Sequence, residues 1–163
     1  MNPDNPLKQF AAVFAAALAI YALSFVWIEH RRNSRGPWEI VFTSTPAGHP
    51  TLVILQPALS ITNARITFPD ETFSFTNGPV ALRIDTPREP PVVVPFGKIK
   101  YMDLTFLPGV VTLELFGHEI ELLPRTLYVN RKEIAWSPAL EVTAQSSEKL
   151  PPEALAPPAK KKR

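Results

Sequence analysis

The chain has 163 residues, enough for one domain with appendages, and its 17 basic and 15 acidic side chains give a net charge of +2. It contains no cysteine, which excludes a disulfide framework, thiolate metal sites and a cysteine nucleophile. Nineteen prolines interrupt the sequence, and their spacing after residue 37 predicts short strands separated by turns rather than long helices.

An uncharged apolar run, residues 10–28, is the first element along the chain. As an α-helix it would be roughly 28 Å long, close to the ~30 Å hydrocarbon core of a bilayer. Asn5 and Pro6 suit an N-cap followed by proline at the first helical position. A cleaved signal peptide is the alternative, but it would have a shorter apolar core, a basic start and a small-x-small cleavage site. The run therefore predicts an uncut transmembrane helix.

The residues that flank this run predict its placement in a membrane. Trp27 is suited to the interfacial belt, and Arg31, Arg32 and Arg35 follow it on the C-terminal side. Lys8 is the one basic side chain before the run. This charge bias favours a cytoplasmic C-terminal domain, although large domains can be translocated despite flanking charge.

A row of small residues, Ala11, Ala15 and Ala19, lies on one face of the predicted helix. Such small-xxx-small rows let a second helix approach closely. Seven of the nineteen residues in the run are alanine, so a row with this spacing is also expected by chance. Helix pairing through this row stays an open alternative.

Residues 38–136 alternate between short apolar runs and turn signals. The alternation over 38–43 predicts a half-buried strand, and the continuous apolar run 51–56 predicts a central strand. Residues 98–107 predict another strand, with Met102, Leu104 and Phe106 on one face, whereas the prolines of 87–95 suit an extended connection or edge strand. Eight to ten short strands predict an antiparallel sandwich or barrel.

Two-residue turn signals predict three hairpins with defined registers. The predicted turns and cross-strand pairs are Asn77-Gly78 with Phe75–Val80 and Phe73–Leu82, Gly117-His118 with Leu115–Ile120 and Leu113–Leu122, and Asn130-Arg131 with Leu127–Ile134.

The sequence offers few groups for catalysis. Its three histidines lack HxH or HExxH spacing, and there is no GxSxG elbow or phosphate-binding loop, so we expect no enzymatic activity, cofactor or metal. The second hairpin would place Glu114 opposite Glu121 and near Glu119. These carboxylates either form a calcium or partner site or belong to a solvated face whose repulsion a neighbouring cation offsets. The candidate cations are Lys98, Lys100 and Arg83.

Residues 137–163 are rich in Pro, Ala, Ser, Glu and Lys, which predicts a disordered tail. The tail ends in Lys160, Lys161, Lys162 and Arg163, which suit either contact with an anionic lipid leaflet or a solubilising end. Residues 38–136 carry eight basic and ten acidic side chains, a net charge of −2, so nucleic acid is not an expected partner.

These features predict an all-β fold, a small antiparallel sandwich or barrel-like domain, tethered by one helix. The expected function is a non-catalytic interaction or scaffolding module, an accessory or assembly subunit of a membrane protein complex, with the lipid bilayer and a membrane protein as partners. A membrane-tethered β-barrel that binds lipid or a small ligand is the alternative. The predicted segments are 1–9 (N-terminal segment), 10–28 (transmembrane helix), 29–37 (basic linker), 38–136 (β-domain) and 137–163 (tail).

Overall fold

A computed structural model of the chain describes residues 6–33, 35–76 and 78–155. The chain divides into two compact units, one ending at residue 34 and the other beginning at residue 35. The described part of the first unit is one α-helix, α1 (Pro6–Asn33), which begins at the predicted proline. It contains the whole apolar run and continues for five residues beyond it.

The second unit is a β-domain, and its described residues form eleven strands, two single-turn 3-10 helices and one short α-helix. The strands are β1 (Trp38–Ser44), β2 (Pro50–Gln56), β3 (Ile61–Thr67), β4 (Val80–Ile84), β5 (Val92–Val94), β6 (Gly97–Asp103), β7 (Val110–Leu115), β8 (His118–Leu122), β9 (Thr126–Val129), β10 (Lys132–Ala135) and β11 (Glu141–Thr143), and the helix is α2 (Pro152–Leu155).

The strands form two sheets. Sheet A has the spatial order β11-β3-β2-β1-β4, and sheet B has the order β10-β9-β8-β7-β6-β5. Every pair is antiparallel except β11 with β3, which is parallel. The prediction of a mostly antiparallel β-domain is confirmed, and the two sheets give it a sandwich-like architecture.

One apolar core joins the sheets. Trp38, Ile40 and Phe42 alternate along β1 and are fully buried, as the pattern of this strand predicts. The indole Nε1 of Trp38 donates a hydrogen bond to the carbonyl oxygen of Gly109 at 3.1 Å, which ties β1 to the start of β7 in the other sheet. Each large side chain buried in this way contributes about 1.5–3 kcal/mol, so the shared core holds the sheets together.

The hairpin predicted at Asn130-Arg131 is confirmed. Both residues have positive φ, 51° and 66°, as a type I′ turn requires, and Leu127 pairs with Ile134.

The hairpin predicted at Gly117-His118 is wrong by one residue in its turn. The central residues are Phe116 and Gly117, with φ of 51° and 84°, so Leu115 pairs with His118 rather than with Ile120. The actual register differs from the predicted one by two residues. Because side chains alternate with a period of two, the apolar side chains keep their core face.

The hairpin predicted at Asn77-Gly78 is wrong. Residues 71–76 form no strand, and β4 pairs instead with β1, where Val80 lies opposite Phe42. The ring of Phe73 lies 4.9 Å from the ring of Phe96, so it packs against the β5–β6 turn instead of across from β4. Asn77 lies outside the described residues.

The other strand predictions hold with smaller corrections. β2 lies between β1 and β3 as a central strand, but its residues Val53 and Leu55 are only half-buried, so its outer face is not fully covered. β5 is an edge strand flanked by prolines, as predicted. β6 ends at Asp103, and Phe106 is 59 % exposed rather than on the core face.

The predicted disordered tail is wrong for the part that the structure describes. β11 pairs with β3, and Ala144 at the end of this segment is 1 % exposed. The domain therefore extends to residue 155 instead of ending at 136. Leu140, Val142 and Ala144 alternate toward the core, a short signal that the polar composition of the segment conceals. Residues 156–163, with the four predicted lipid-contacting residues, lie outside the described residues.

Candidate membrane anchor and interaction surfaces

The apolar surface of α1 is exposed on all sides. A 26-residue stretch, Pro6–Arg31, has a mean hydropathy of 2.2 in its most apolar window, and none of that window is buried. Phe10, Leu18 and Trp27 are each more than half exposed. A membrane span and an N-terminal signal sequence both have this character, and in water so much apolar surface would be strongly unfavourable.

The polar end of α1 carries the predicted interface residues. The guanidinium of Arg31 lies 5.3 Å from the centroid of the Trp27 ring, a cation–π contact within the last turns of the helix. Arg32 also belongs to α1, although its side chain is outside the described part, and Arg35 is exposed at the start of the β-domain.

The predicted alanine row lies within α1. Ala11, Ala15 and Ala19 are all exposed, and their spacing of four residues places them on one helix face. Helix pairing through this row stays a prediction.

A cluster of charges crosses the outer face of sheet B. Glu114 lies opposite Glu119, not opposite Glu121, because of the shifted turn. The Lys100 ammonium lies between the two carboxylates, 3.7 Å from Glu114 Oε2 and 3.5 Å from Glu119 Oε2. Lys98 Nζ is 3.3 Å from Glu114 Oε1. The predicted offset of like charges by lysines is therefore confirmed.

The structure differs from the other parts of the prediction for these carboxylates. The side chains of Glu114 and Glu119 are 21 % and 15 % exposed, so they do not form a solvated face. Arg83 lies in sheet A, where its guanidinium is 3.3 Å from Asp85 and 3.8 Å from Glu39. Among the described residues, no group of three His, Asp, Glu or Cys side chains is placed to hold a metal ion.

Residues 144–155, the C-terminal strap, connect the two sheets. The amide of Ala144 donates to the carbonyl of Thr67 in sheet A at 2.9 Å, and the amide of Leu150 donates to the carbonyl of Gly117 at the β7–β8 turn at 3.2 Å. Two ion pairs reinforce these bonds, Lys149 with Glu71 at 2.5 Å and Lys132 with Glu148 at 2.6 Å. Two cations also donate hydrogen bonds to carbonyls of the strap, Arg131 to Ala154 at 3.0 Å and Lys100 to Leu155.

An open groove of about 540 Å³ lies between the strap and sheet B. Its walls combine charged and apolar side chains, among them Lys98, Glu114, Lys149, Leu150 and Leu155. Lys98 pairs with Glu114 within this lining, and Lys149 pairs with Glu71, which lies outside it. This lining does not resemble the apolar interior that a lipid-binding barrel requires.

The sequence did not reveal the environment of His118, because it was predicted to be the second residue of a hairpin turn. It is the first residue of β8 and is fully buried, with its ring 5.6 Å from the ring of Phe68. Its Nδ1 lies 2.9 Å from Asn130 Nδ2, while its Nε2 has no hydrogen-bond partner in the described part of the chain. Burial, and then the nearby Lys149 ammonium, lower the pKa of His118.

β4 is an edge strand of sheet A. Among the described residues, the backbone hydrogen bonds of β4 are those of its ladder with β1. Val80 on this strand is 41 % exposed. An edge with unpaired main-chain groups beside apolar side chains can accept another strand.

In comparisons with known proteins, no protein-family model, curated protein or solved structure matches the chain.

Proposed function

We propose that this protein is a single-pass membrane protein whose β-domain is a non-catalytic interaction module, an accessory or assembly subunit of a membrane protein complex. The observation that carries the proposal is the combination of a fully exposed apolar helix with a β-domain that has an open strand edge.

The helix supports the membrane part of the proposal. Residues 6–31 are long enough to cross the hydrocarbon core and present apolar side chains in every direction, so lipid is the solvent that suits them. The Trp27–Arg31 pair at one end is suited to the headgroup region, where an aromatic ring and a cation are both solvated. The three arginines that follow the span favour a cytoplasmic β-domain.

The β-domain supports the interaction part. The space between its sheets is occupied by packed side chains, and the charges on sheet B are paired with one another. In the described part of the β-domain, the β4 edge and exposed apolar side chains are available to a partner; these side chains include Val80, Val93, Tyr101 and Phe106. Edge strands are recurrent docking sites for extended segments of other proteins.

Purification of the full chain from native membranes in mild detergent tests this function. A partner present in a constant ratio to this protein through size-exclusion chromatography is the expected result. Ile40→Asp is the matched control: it places an unpaired carboxylate in the core and unfolds the β-domain, while α1 stays intact. The partner should be lost from this variant. A wild-type protein that always elutes alone, or a partner retained by the control, contradicts the proposal.

The placement of the β-domain is tested separately by protease treatment of intact cells and of inverted membrane vesicles. We expect digestion of the domain in inverted vesicles only. Digestion from outside intact cells would show that the domain lies on the opposite side.

A further inference from the structure

We propose that the C-terminal strap is a latch that opens while the two sheets stay folded, and that protonation of His118 drives the opening. Mild acid thus uncovers one end of the sandwich and part of the outer face of sheet B. The latch is built from residues of the β-domain alone, so it does not depend on the proposed membrane function.

The strap crosses the end of the core where His118 lies. The amide of its first residue donates to the carbonyl of Thr67, which directly precedes Phe68 at the end of β3. The amide of Leu150 donates to the carbonyl of Gly117, which directly precedes His118. The rings of Phe68 and His118 lie 5.6 Å apart. The segment that joins the two attachments therefore passes the end of the sandwich where these side chains meet.

Charged side chains of the strap act on the imidazole. Lys149 and Glu148 belong to the strap, Glu71 follows β3, and the charges of all three affect His118. Both carboxylates already have a cation. Glu71 pairs with Lys149 at 2.5 Å. Glu148 pairs with Lys132 at 2.6 Å. An imidazolium therefore adds an uncompensated positive charge to these two pairs.

His118 is the group whose protonation the closed strap opposes. Its side chain is fully buried, and its Nε2 has no hydrogen-bond partner in the described part of the chain. Asn130, in the turn between β9 and β10, contacts the other ring nitrogen at 2.9 Å and carries no charge. Burial, and then the Lys149 ammonium, lower the pKa of His118. Opening of the strap withdraws this ammonium and admits water to the ring, so the open state binds a proton more tightly than the closed state.

Few side chains of the strap are buried. Ala144 is buried, but neither the single-turn helix at 146–148 nor α2 contains a buried residue. In the two ion pairs of the strap, the side chains of Lys132 and Lys149 are 70 % and 36 % exposed, and exposed ion pairs contribute little to stability. β8, in contrast, contains the fully buried Ile120. Segments with few buried apolar contacts open at a lower free energy than the core, so the strap opens before the sheets.

Opening also changes the groups that sheet B presents on its outer face. Arg131 donates to the carbonyl of Ala154 at 3.0 Å, and Lys100 donates to the carbonyl of Leu155. The same two cations lie 3.8 Å and 3.5 Å from the carboxylate of Glu119. In the open state they lose the strap carbonyls and keep this carboxylate. The open state therefore presents a charged surface that the closed strap covers.

The direction of the titration sets the pH window. An unperturbed histidine titrates near pH 6.5, and the pKa of His118 in the closed state is lower. Opening becomes more favourable below about pH 6.5, by up to about tenfold per unit, until the closed-state pKa is reached. The hydrogen bond from Lys132 lowers the pKa of Glu148 from 4.5. A window from about pH 7.5 to 5.5 therefore excludes the titration of that carboxylate.

Amide hydrogen exchange of the full-length protein in detergent micelles, read by mass spectrometry, tests the latch. Peptides covering 144–155 report on the strap, and peptides covering 110–115 report on β7, an interior strand of sheet B. Wild type and His118→Phe have the same intrinsic exchange rates in these peptides, so the ratio of their rates isolates the histidine. For the strap, this ratio should be constant above about pH 6.5 and rise by up to about tenfold per unit below it. The β7 amides should stay much better protected than the strap throughout the window.

Two variants that each remove one cation from an ion pair form a matched comparison. Lys149 acts on the imidazole of His118, whereas Arg83 pairs with carboxylates away from it. Lys149→Met should reduce the total rise of strap exchange across the window, and Arg83→Met should leave it at the wild-type value. This comparison decides the question if circular dichroism shows that His118→Phe does not fold.

Any one of three results overturns the inference. Equal exchange rates in the strap and in β7 would show that the strap opens only when the whole domain unfolds. A ratio of wild type to His118→Phe that does not change with pH would show that the histidine does not drive the opening. Equal pH dependences in Lys149→Met and Arg83→Met would show that the strap cation has no part in the titration.

Discussion

Burial disfavours the charged form of the His118 imidazole. Asn130 Oδ1 accepts a hydrogen bond from the Glu119 amide at 3.1 Å, so its NH₂ group is the one that faces His118 Nδ1. Burial, and then the Lys149 ammonium, lower the pKa of His118, whereas the hydrogen bond with Asn130 and, after it, the carboxylates of Glu71 and Glu148 raise it by less.

This arrangement predicts acid sensitivity of the fold. The pKa of His118 is lowered in the folded state, whereas an unperturbed histidine in the unfolded chain titrates near pH 6.5. The unfolded state binds the proton first as the pH falls. The stabilisation is therefore fully present above about pH 6.5 and is lost toward the folded pKa, with a slope of up to about 1.4 kcal/mol per pH unit.

Urea unfolding followed by tryptophan fluorescence, at a series of pH values from neutral to mildly acidic, measures this slope. Lys149→Met should make the slope shallower, because it removes a cation that disfavours the imidazolium, and His118→Phe should remove the histidine contribution. The comparison uses slopes because both substitutions also change the stability at neutral pH. An identical slope in wild type and His118→Phe would contradict the assignment.

Individual elements differ in how well local sequence determines them. β1 and β2 follow directly from their apolar patterns, and the Asn130-Arg131 turn follows from its residue types. The strand that pairs with β4 does not follow from local sequence, because a strand with one apolar face can pair with any strand that continues the same core. β11 was missed since three residues carry little periodicity and pair with a strand 76 residues earlier.

The candidate surfaces also divide into features that local sequence predicts and features that depend on the rest of the fold. The helix, its flanking cations and the lysines that offset Glu114 could be predicted, because each depends on composition or on neighbouring strands. The burial of His118 depended on a turn one residue earlier than expected. The open β4 edge depended on long-range pairing, so sequence could suggest an exposed edge but could not identify it.

Gly97 shows how closely two elements of sheet B approach. A Cβ atom added at this position would lie 2.0 Å from the Glu114 carbonyl oxygen on β7. Since both groups are main chain, Gly97→Ala should disrupt the β6–β7 ladder and cost about 3 kcal/mol or more of the free energy of unfolding. Gly48→Ala is the control: it has φ of +88° and nothing within 4 Å, so backbone strain alone should cost about 1 kcal/mol. Chemical denaturation of both variants checks this, and equal losses would contradict it.

For the molecule as a whole, the character of α1 decides whether the β-domain acts at a membrane. If α1 crosses the bilayer, the free energy of placing an arginine in it depends on depth. Ile20 lies near the middle of the span and Leu7 lies at its first turn, and both side chains are well exposed on the helix. Arginine at the centre of a span costs about 2.5–3.5 kcal/mol, whereas near the interface it costs little.

Ile20→Arg should therefore reduce the fraction of the protein that stays in membranes after an alkaline carbonate wash, and Leu7→Arg should leave it near the wild-type level. The intact mass of the membrane-bound protein distinguishes a span from a signal sequence, because only a retained span keeps residues 1–33. A mature chain that lacks these residues would leave the β-domain without its tether. The proposed role at a membrane would then lose its physical basis.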